Sequence, residues 1–598
     1  MIINKLGKIY LPVYYALLGL TLLTHLSGLL NDVFLTDSAL YASIAKEMAL
    51  SGNFLDLTFD GADWLDKPHF PFWVTAVSFK IFGINTFAYK IPAILFTLLA
   101  LFYTYRLSRE LYNRETALLA VLVLATAQHL IISNNDVRAE PILTGLVIGS
   151  IYHYHRLVKR YHWTNLVWAS LFAGLSVMTK GPFTLIPVVG AVAGEIIVKR
   201  QFRLIWSSRW LVSLILVALF ITPELYALYH QFDSHPEKVV FGTTGVSGIR
   251  FFLWDSQFGR FFNTGPIKGS GDPFFFLHTL LWAFLPWSLV MYYAFFKKII
   301  QNSIKVDRQS EFYTISGTLL TLVVFSFSGF QLPHYTNIIF PLLAMLTADW
   351  IYRASTRGEL LYFRIAQIFT IILMLLLLGI IHIVFRPGGI SVTAITAFIL
   401  VGIMIFLGRR YHLERKWKII YHTALASILV NFYLNLVFYP ELLEYQSGTK
   451  AARYANVHFP ELDIRTLGVL SFTLHFHADN EVRDRKIQML KEELAREELL
   501  IYTSEPYLDS LQMSAIGYEI LATFDHFHTT MLTGTFLNHR TRDESLKKYF
   551  LLKSGPAYLL NKNHAACPAR LLGQPPLNVP APSFIRSQGL TPTPLNQV

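Results

Sequence analysis

The sequence predicts an α-helical protein that crosses a membrane many times and carries a small α/β unit outside it. Three observations lead there. Of 598 residues, 53% are hydrophobic and 15% charged, with mean hydropathy +0.42, whereas soluble domains carry about 25% charged residues. Long apolar runs recur up to residue 438, and the loops joining them are basic on every second turn. Past residue 445 the charge density rises and the apolar runs shorten. The formal net charge of +12 does not indicate a nucleic-acid partner. Its positive residues sit at the ends of apolar runs and form no basic stripe with interleaved aromatics. The single Cys567 excludes an intramolecular disulfide and a thiolate metal cage.

About thirteen runs are long enough to cross a bilayer: 10–30, 87–108, 115–133, 140–158, 163–179, 181–198, 210–229, 274–296, 312–329, 335–352, 364–385, 391–408 and 419–438. The first is long enough to stay in the membrane, so no cleavable signal peptide is expected. The run 70–83 is too short to span upright and reads as a partly inserted helix. Cytoplasmic loops are enriched in Lys and Arg. With Lys5 and Lys8 inside, the inner loops hold Arg106, Arg109 and Arg114, then Arg156, Lys159 and Arg160, then Lys199, Arg200, Arg203 and Arg209, and the later inner loops are equally basic. The outer side then receives 31–86, 134–141, 179–182, 230–273, 329–335 and the C-terminal part. The chain divides into a membrane domain (1–440), an extracytoplasmic α/β domain (441–562) and a Pro-rich tail (563–598) with the composition of a disordered segment.

The stretch 31–82 is far longer than the usual connection between packed helices, and too rich in apolar residues for a disordered one. Leu40, Ile44, Ala45 and Met48 recur at helical spacing, which predicts an amphipathic helix over 36–51, capped by Thr36 or Asp37 and stopped by Gly52. Such a helix lies along a membrane surface. Asp37 and Tyr41, four apart, share one of its faces. In the C-terminal part, 467–476 and 549–553 have strand composition and 484–499 has helical composition.

Charged residues near membrane depth generally mark a pathway or a site. Asp37 either caps its helix or takes a proton from an acceptor hydroxyl, and the two roles can coexist. Asp136 and Glu140 straddle Arg138; the group is either a solvated turn with a local ion pair or an acidic site facing Asp37. Asp66, with His69 nearby, offers oxygen and nitrogen ligands for a divalent metal ion. Lys67, Lys180 and Arg260 lie on the face that the positive-inside rule disfavours. They contact lipid headgroups by snorkelling or bind a phosphate, and three together favour the phosphate. Gly181 permits close approach of backbone to a ligand. Gln331, His334 and Tyr335 open a span; a lone histidine is more often structural. His475 with His477, and His526 with His528, read as paired strand histidines more readily than as metal ligands.

Six motifs occur in order: TDxxxY at Thr36–Tyr41, DKPxFxFW at Asp66–Trp73, Asn135-Asp136 before a span, TKGP at Thr179–Pro182, WxxxxxRF at Trp254–Phe261, and LPHYxxxxxP at Leu332–Pro341. Together they resemble the GT-C membrane glycosyltransferases, in the branch of the dolichyl-phosphate-mannose-protein mannosyltransferases and aminoarabinose (lipid A) transferases. The resemblance covers about residues 10–440. It implies a GT-C fold of about thirteen transmembrane helices and inverting transfer of one sugar from a polyprenyl-phosphate donor to a lipid, protein or glycan acceptor. That transfer would take place on the outer face of a bacterial inner membrane. By position it makes Asp37 and Asp136 the acidic residues of the first two outer segments, Asp66 the acid before Lys-Pro, Lys67 the phosphate-contacting lysine and Arg260 the arginine before Phe. This chain departs from the pattern at Ser38, where many members carry a second acid, at Asp66 in place of Glu, and at Gln331 in place of Lys. The expected substrate-binding set is Tyr41, Lys67, Arg138, Lys180, Arg260, His334 and Tyr335. The alternative is a transporter or flippase for a lipid-linked sugar, which predicts charges near the bilayer midplane and broken helices in two related halves.

Overall fold

The computed structural model describes residues 11–560 apart from 266, 305 and 411–413. Lys5, Lys8, Cys567 and the tail expected from 563 lie outside the described residues. The first nine α-helices are α1 (Leu11–Ser27), α2 (Asp37–Ser51), α3 (Phe70–Phe82), α4 (Thr86–Leu111), α5 (Arg114–Ala125), α6 (Gln128–Asn135), α7 (Glu140–Lys159), α8 (Trp163–Lys180) and α9 (Ile186–Val198). Every run expected to span holds a helix or an interrupted pair of helices. Among the described residues four helices are able, by length and composition, to cross a membrane, or six when each of two bent pairs counts as one. The other runs are helical but shorter, interrupted or more polar.

The break between α5 and α6 bends the chain by 50° and sets the direction in which the outer turn 136–139 leaves. A broken helix at membrane depth persists only if its freed backbone groups find partners inside the protein. Here they do. The Gln128 amide donates to the carbonyl of Leu285 at 2.8 Å, and Ser427 donates its hydroxyl to the carbonyl of Thr126 at 2.8 Å. Side-chain amides complete the lock. Gln128 and Asn431 exchange two bonds of 2.9 and 3.0 Å, Asn135 donates to Asn435 at 3.0 Å, and Asn337 donates to Ser133 at 2.6 Å. Such interhelical bonds substitute for the hydrophobic drive that is missing between helices in lipid.

The long first loop is folded throughout. α2 forms at Asp37–Ser51, and Gly52, left-handed at φ 71°, ends it. Thr36 stands at the N-cap without a side-chain bond to the helix. The expectation that this helix lies on a membrane surface is corrected. Nine of its fifteen residues are buried, because α3 covers one side and the short helix Phe472–His477 another. Lys46, in the middle of α2, donates to the carbonyls of His475 at 2.9 Å, Phe476 at 3.3 Å and Ala478, so it caps that short helix. Lys90 acts likewise at the end of α1, donating to Gly28 at 3.1 Å and Asn31 at 2.7 Å. A hairpin of β1 (Thr58–Phe59) and β2 (Ala62–Asp63) follows α2.

Beyond residue 447 the chain builds a five-stranded mixed sheet from β3 (Ile464–Leu467), β4 (Val482–Asp484), β5 (Leu499–Ser504), β6 (Glu519–His526) and β7 (Lys547–Ser554), in the order β4-β3-β5-β7-β6. β3 runs parallel to β4 and β5, while β7 is antiparallel to β5 and β6. Two expectations fail here. The strand over 467–476 is instead the end of β3 followed by the helix Phe472–His477, whose N-cap Ser471 accepts from the Leu474 amide. A short apolar run does not distinguish a buried strand from a buried helix turn. His475 and His477 therefore share no strand face. The helix over 484–499 contracts to Ile487–Leu494, since Asp484 closes β4 and Leu499 opens β5.

Candidate active site

A cavity of about 1240 Å³ opens where the segments expected on the outer side meet, larger than the 300–1,000 Å³ typical of a single small-ligand pocket. All seven residues expected to bind substrate line it, together with Asp37, Asp66 and Asp136. Its charges fall into three groups. In the first, Arg138 stands between two carboxylates, with Nη1 2.7 Å from Asp37 and Nε 3.2 Å from Asp136. In the second, Asp66 is clasped by Lys67 and Arg260. In the third, Glu140 pairs with Lys180 and lies 3.7 Å from His334 Nε2, while the Lys180 ammonium sits 3.8 Å from the centre of the Tyr335 ring.

Each group joins elements distant in sequence. Asp37 starts α2, and Asp136 and Arg138 follow the end of α6. Glu140 starts α7, Lys180 ends α8, and Arg260 follows the helix Phe251–Gly259. Tyr41 is set one turn behind Asp37, with its ring edge-on to Trp64 and Phe72. Tyr89 ties α2 to the second outer turn through a 2.9 Å bond to the Val137 carbonyl, and Ser38 is fully buried beside it. The position at which the resemblance leads one to expect a second acid thus faces the protein interior in this chain.

Electrostatics separates the carboxylates. Burial alone raises Asp66, but Lys67 and Arg260 outweigh it and hold the carboxyl far below its ordinary value. Asp136 is pushed up by burial against the pull of Arg138, and its Oδ1 has no hydrogen-bond partner. Asp37 has 36% of its side chain exposed against 23–24% for the other two aspartates, so among the three it is the most open to an incoming group. The cavity wall as a whole carries five lysines and arginines against four carboxylates, an arrangement with room for one more anion.

A metal ion at Asp66 and His69 does not fit. The carboxylate of Asp66 is occupied by two cations. His69 is fully buried, with Nδ1 3.0 Å from Glu224 and Nε2 3.0 Å from the Leu55 carbonyl, and it anchors the loop to the helix Thr222–Leu228. No group of three or more His, Cys, Asp or Glu suited to a metal occurs among the described residues. Gly181 also differs from expectation: its open face is filled by the Gln257 side chain, which donates to the Lys180 carbonyl at 3.2 Å.

Residues 66–226 match the dolichyl-phosphate-mannose-protein mannosyltransferase family. The chain is 25% identical over 350 residues to undecaprenyl phosphate-alpha-4-amino-4-deoxy-L-arabinose arabinosyl transferase 1 of Pseudomonas fluorescens, covering 57% of this chain and 58% of that one. An uncharacterized protein of Aquifex aeolicus is 24% identical over 470 residues, covering 77% and 85%. The fold matches the crystal structure of ArnT from Cupriavidus metallidurans bound to undecaprenyl phosphate with a TM-score of 0.66 at 16% identity, over 90% of this chain and 97% of that one. In sequence and in fold the chain is similar to GT-C membrane glycosyltransferases. The chain spans little more than half the length of the arabinosyl transferases that it matches.

Several parts of this cavity carried no motif. Residues 528–532, from the C-terminal part, reach over it with Met531 and Leu532, and Lys268 enters from the loop before residue 273. Gln446, fully buried, positions that reach: it donates to the Val33 carbonyl at 2.9 Å and accepts from the Leu35 amide and the Thr529 hydroxyl, each at 2.9 Å. A run of threonines with two apolar residues has no signature in one sequence. Gln331 bonds the carbonyls of Phe325 and Ser326 and the amide of Asp272, so it braces two loops.

Proposed function

We propose that this protein transfers a sugar from a polyprenyl-phosphate donor to a lipid acceptor, at a site facing the outside of a bacterial inner membrane. The observation that carries the reading is the meeting of Lys67, Lys180 and Arg260 in one cavity with Asp37 and Arg138. A narrow side pocket lined by Phe183, Phe325 and Phe330 adjoins Lys180 and Arg260, which suits an isoprenoid chain beside its phosphate. The relatives named for undecaprenyl-phosphate-linked aminoarabinose, and the ArnT structure holding undecaprenyl phosphate, support the same donor class.

In the reaction the bond from the anomeric carbon to the phosphate oxygen breaks and a bond to the acceptor oxygen forms on the opposite face. Negative charge grows on the departing polyprenyl phosphate. Lys67, Lys180 and Arg260 stabilise it where water is scarce, and that is worth most in the transition state. Asp66 holds two of those cations in place before the donor arrives. Asp37, kept in register by Arg138, takes the proton when the acceptor is a hydroxyl; a phosphate acceptor carries none to remove, and Asp37 then orients it. The reading includes thirteen spans, a membrane domain over 1–440 and an extracytoplasmic domain over 441–562. Reconstituted protein supplied with radiolabelled polyprenyl-phosphate sugar tests it. Label appearing in a glycoside is expected. Movement of the labelled lipid across the bilayer without any glycoside would instead make the protein a transporter.

A further inference from the structure

We infer that a second cavity, at the other end of α7, binds the phosphate of an anionic phospholipid. α7 has 20 residues and is therefore about 30 Å long, the thickness of a hydrocarbon core. Its first residue, Glu140, lies in the outer cavity. Its last, Lys159, lines a separate cavity of about 640 Å³ among the inner basic loops.

This second cavity is built for an anion. Lys159, Lys199, Arg200 and Arg203 surround it, and Glu195 is the lone carboxylate on its wall. That carboxylate is already engaged by Lys199 at 2.5 Å and by the Phe312 amide at 2.6 Å. Among the described residues neither Arg200 nor Arg203 has an ion-pair partner. His155, 2% exposed, lines the same wall, and neither of its ring nitrogens has a hydrogen-bond partner; its nearest acid, Glu110, is 3.5 Å away. Arginine forks suit phosphate oxygens, and basic pockets between spans on the cytoplasmic side suit lipid headgroups.

The flank of the cavity favours a lipid over a free anion. Phe202, Ile205 and Trp206 follow the basic residues and are 50%, 42% and 88% exposed. Exposed aromatics beside a span mark the headgroup level of a bilayer, where they lie against acyl chains while the arginines hold the phosphate.

The test uses purified full-length protein in detergent, equilibrated with equal amounts of phosphatidylglycerol and phosphatidylcholine, with bound lipid read by native mass spectrometry. Phosphatidylglycerol is expected to be retained preferentially. Arg200→Ala with Arg203→Ala, both at exposed positions, lowers that retention about 30-fold, or roughly fivefold per arginine. Arg109→Ala with Arg114→Ala removes the same charge from the same face outside the cavity and leaves retention unchanged. Equal loss in the two double variants would reduce the effect to general surface charge and overturn the inference. So would retention that survives in R200A/R203A. Displacement of the lipid by a large excess of inorganic phosphate would assign the cavity to a soluble anion instead.

Discussion

Asp37 and Asp66 are both aspartates in the same cavity, and their surroundings give them different work. Asp66 is a counter-ion, pinned between Lys67 and Arg260. Asp37 keeps one guanidinium contact and the larger exposure, which leaves it able to meet an acceptor. Replacing Asp37 with Asn retains an acceptor for Arg138 but removes the base, so turnover on a hydroxyl acceptor falls by about 10²–10⁴, with donor binding little changed. Steady-state kinetics on the reconstituted variant measure this, and a variant as active as the wild type would remove Asp37 from the chemistry. On the proposed reading, Arg260→Ala takes away one of the groups that stabilise the leaving phosphate. It lowers kcat by about 10²–10³, and it also releases Asp66 from one of its two cations. Both residues were legible because they sit in motifs. The partner of Lys180 was less so: Glu140 reads in sequence as a neighbour of Arg138, and only the packing of α7 against α8 puts it on the lysine instead.

Among the elements, α2 shows how a loop becomes a fixed wall. Lys46 is buried and its three bonds all go to carbonyls at the end of the helix Phe472–His477. Lys46→Met keeps the length of the side chain and removes the donors, which costs about 1–3 kcal/mol for the carbonyls left unsatisfied. Amide exchange in 472–478 should rise in that variant while exchange in the membrane helices stays the same. The same contact carries a pH dependence. Burial lowers His475 from 6.5 to about 3, so between those values the unfolded chain binds a proton that the folded one does not. Stability from this residue is present above pH 6.5 and is lost as pH falls towards 3, by at most about 1.4 kcal/mol per pH unit. Exchange of the segment 464–504 at pH 7 and pH 5 reads the loss, and His475→Gln should lessen it, while His477, also lowered by burial, keeps its own share. Helical periodicity in α2 was strong enough to give both its ends. The strands were harder: 464–477 mixes apolar residues with Arg465, Thr466, Thr473 and two histidines in no clear period, and the change from strand to helix turn within it rests on Ser471 and on packing against α2.

For the molecule as a whole, the two cavities at the ends of α7 define two sides. Single cysteines placed at Ser270, in the outer cavity, and at Gln201, beside the inner one, in a Cys567→Ser background should react with a membrane-impermeant maleimide from opposite sides of oriented vesicles. Labelling of both from one side would dissolve the separation on which the transferase reading depends. The bent pair α5–α6 belongs to this scale as well. Its polar residues look, in one dimension, like part of a turn, yet Gln128 and Asn135 lock onto Asn431, on the helix Arg415–Tyr433, and Asn435, in the next turn, about 300 residues away in sequence.

Sequence alone determined the membrane character of the chain and picked out charged residues that line its large cavity. Composition and charge placement are local properties that survive unfolding. Tertiary structure decided which carboxylate meets which cation, closed the cavity with a segment from the C-terminal part, and turned His69 from a possible ligand into an anchor. Those outcomes depend on distances between segments far apart in the chain, and these exist only once the helices have packed.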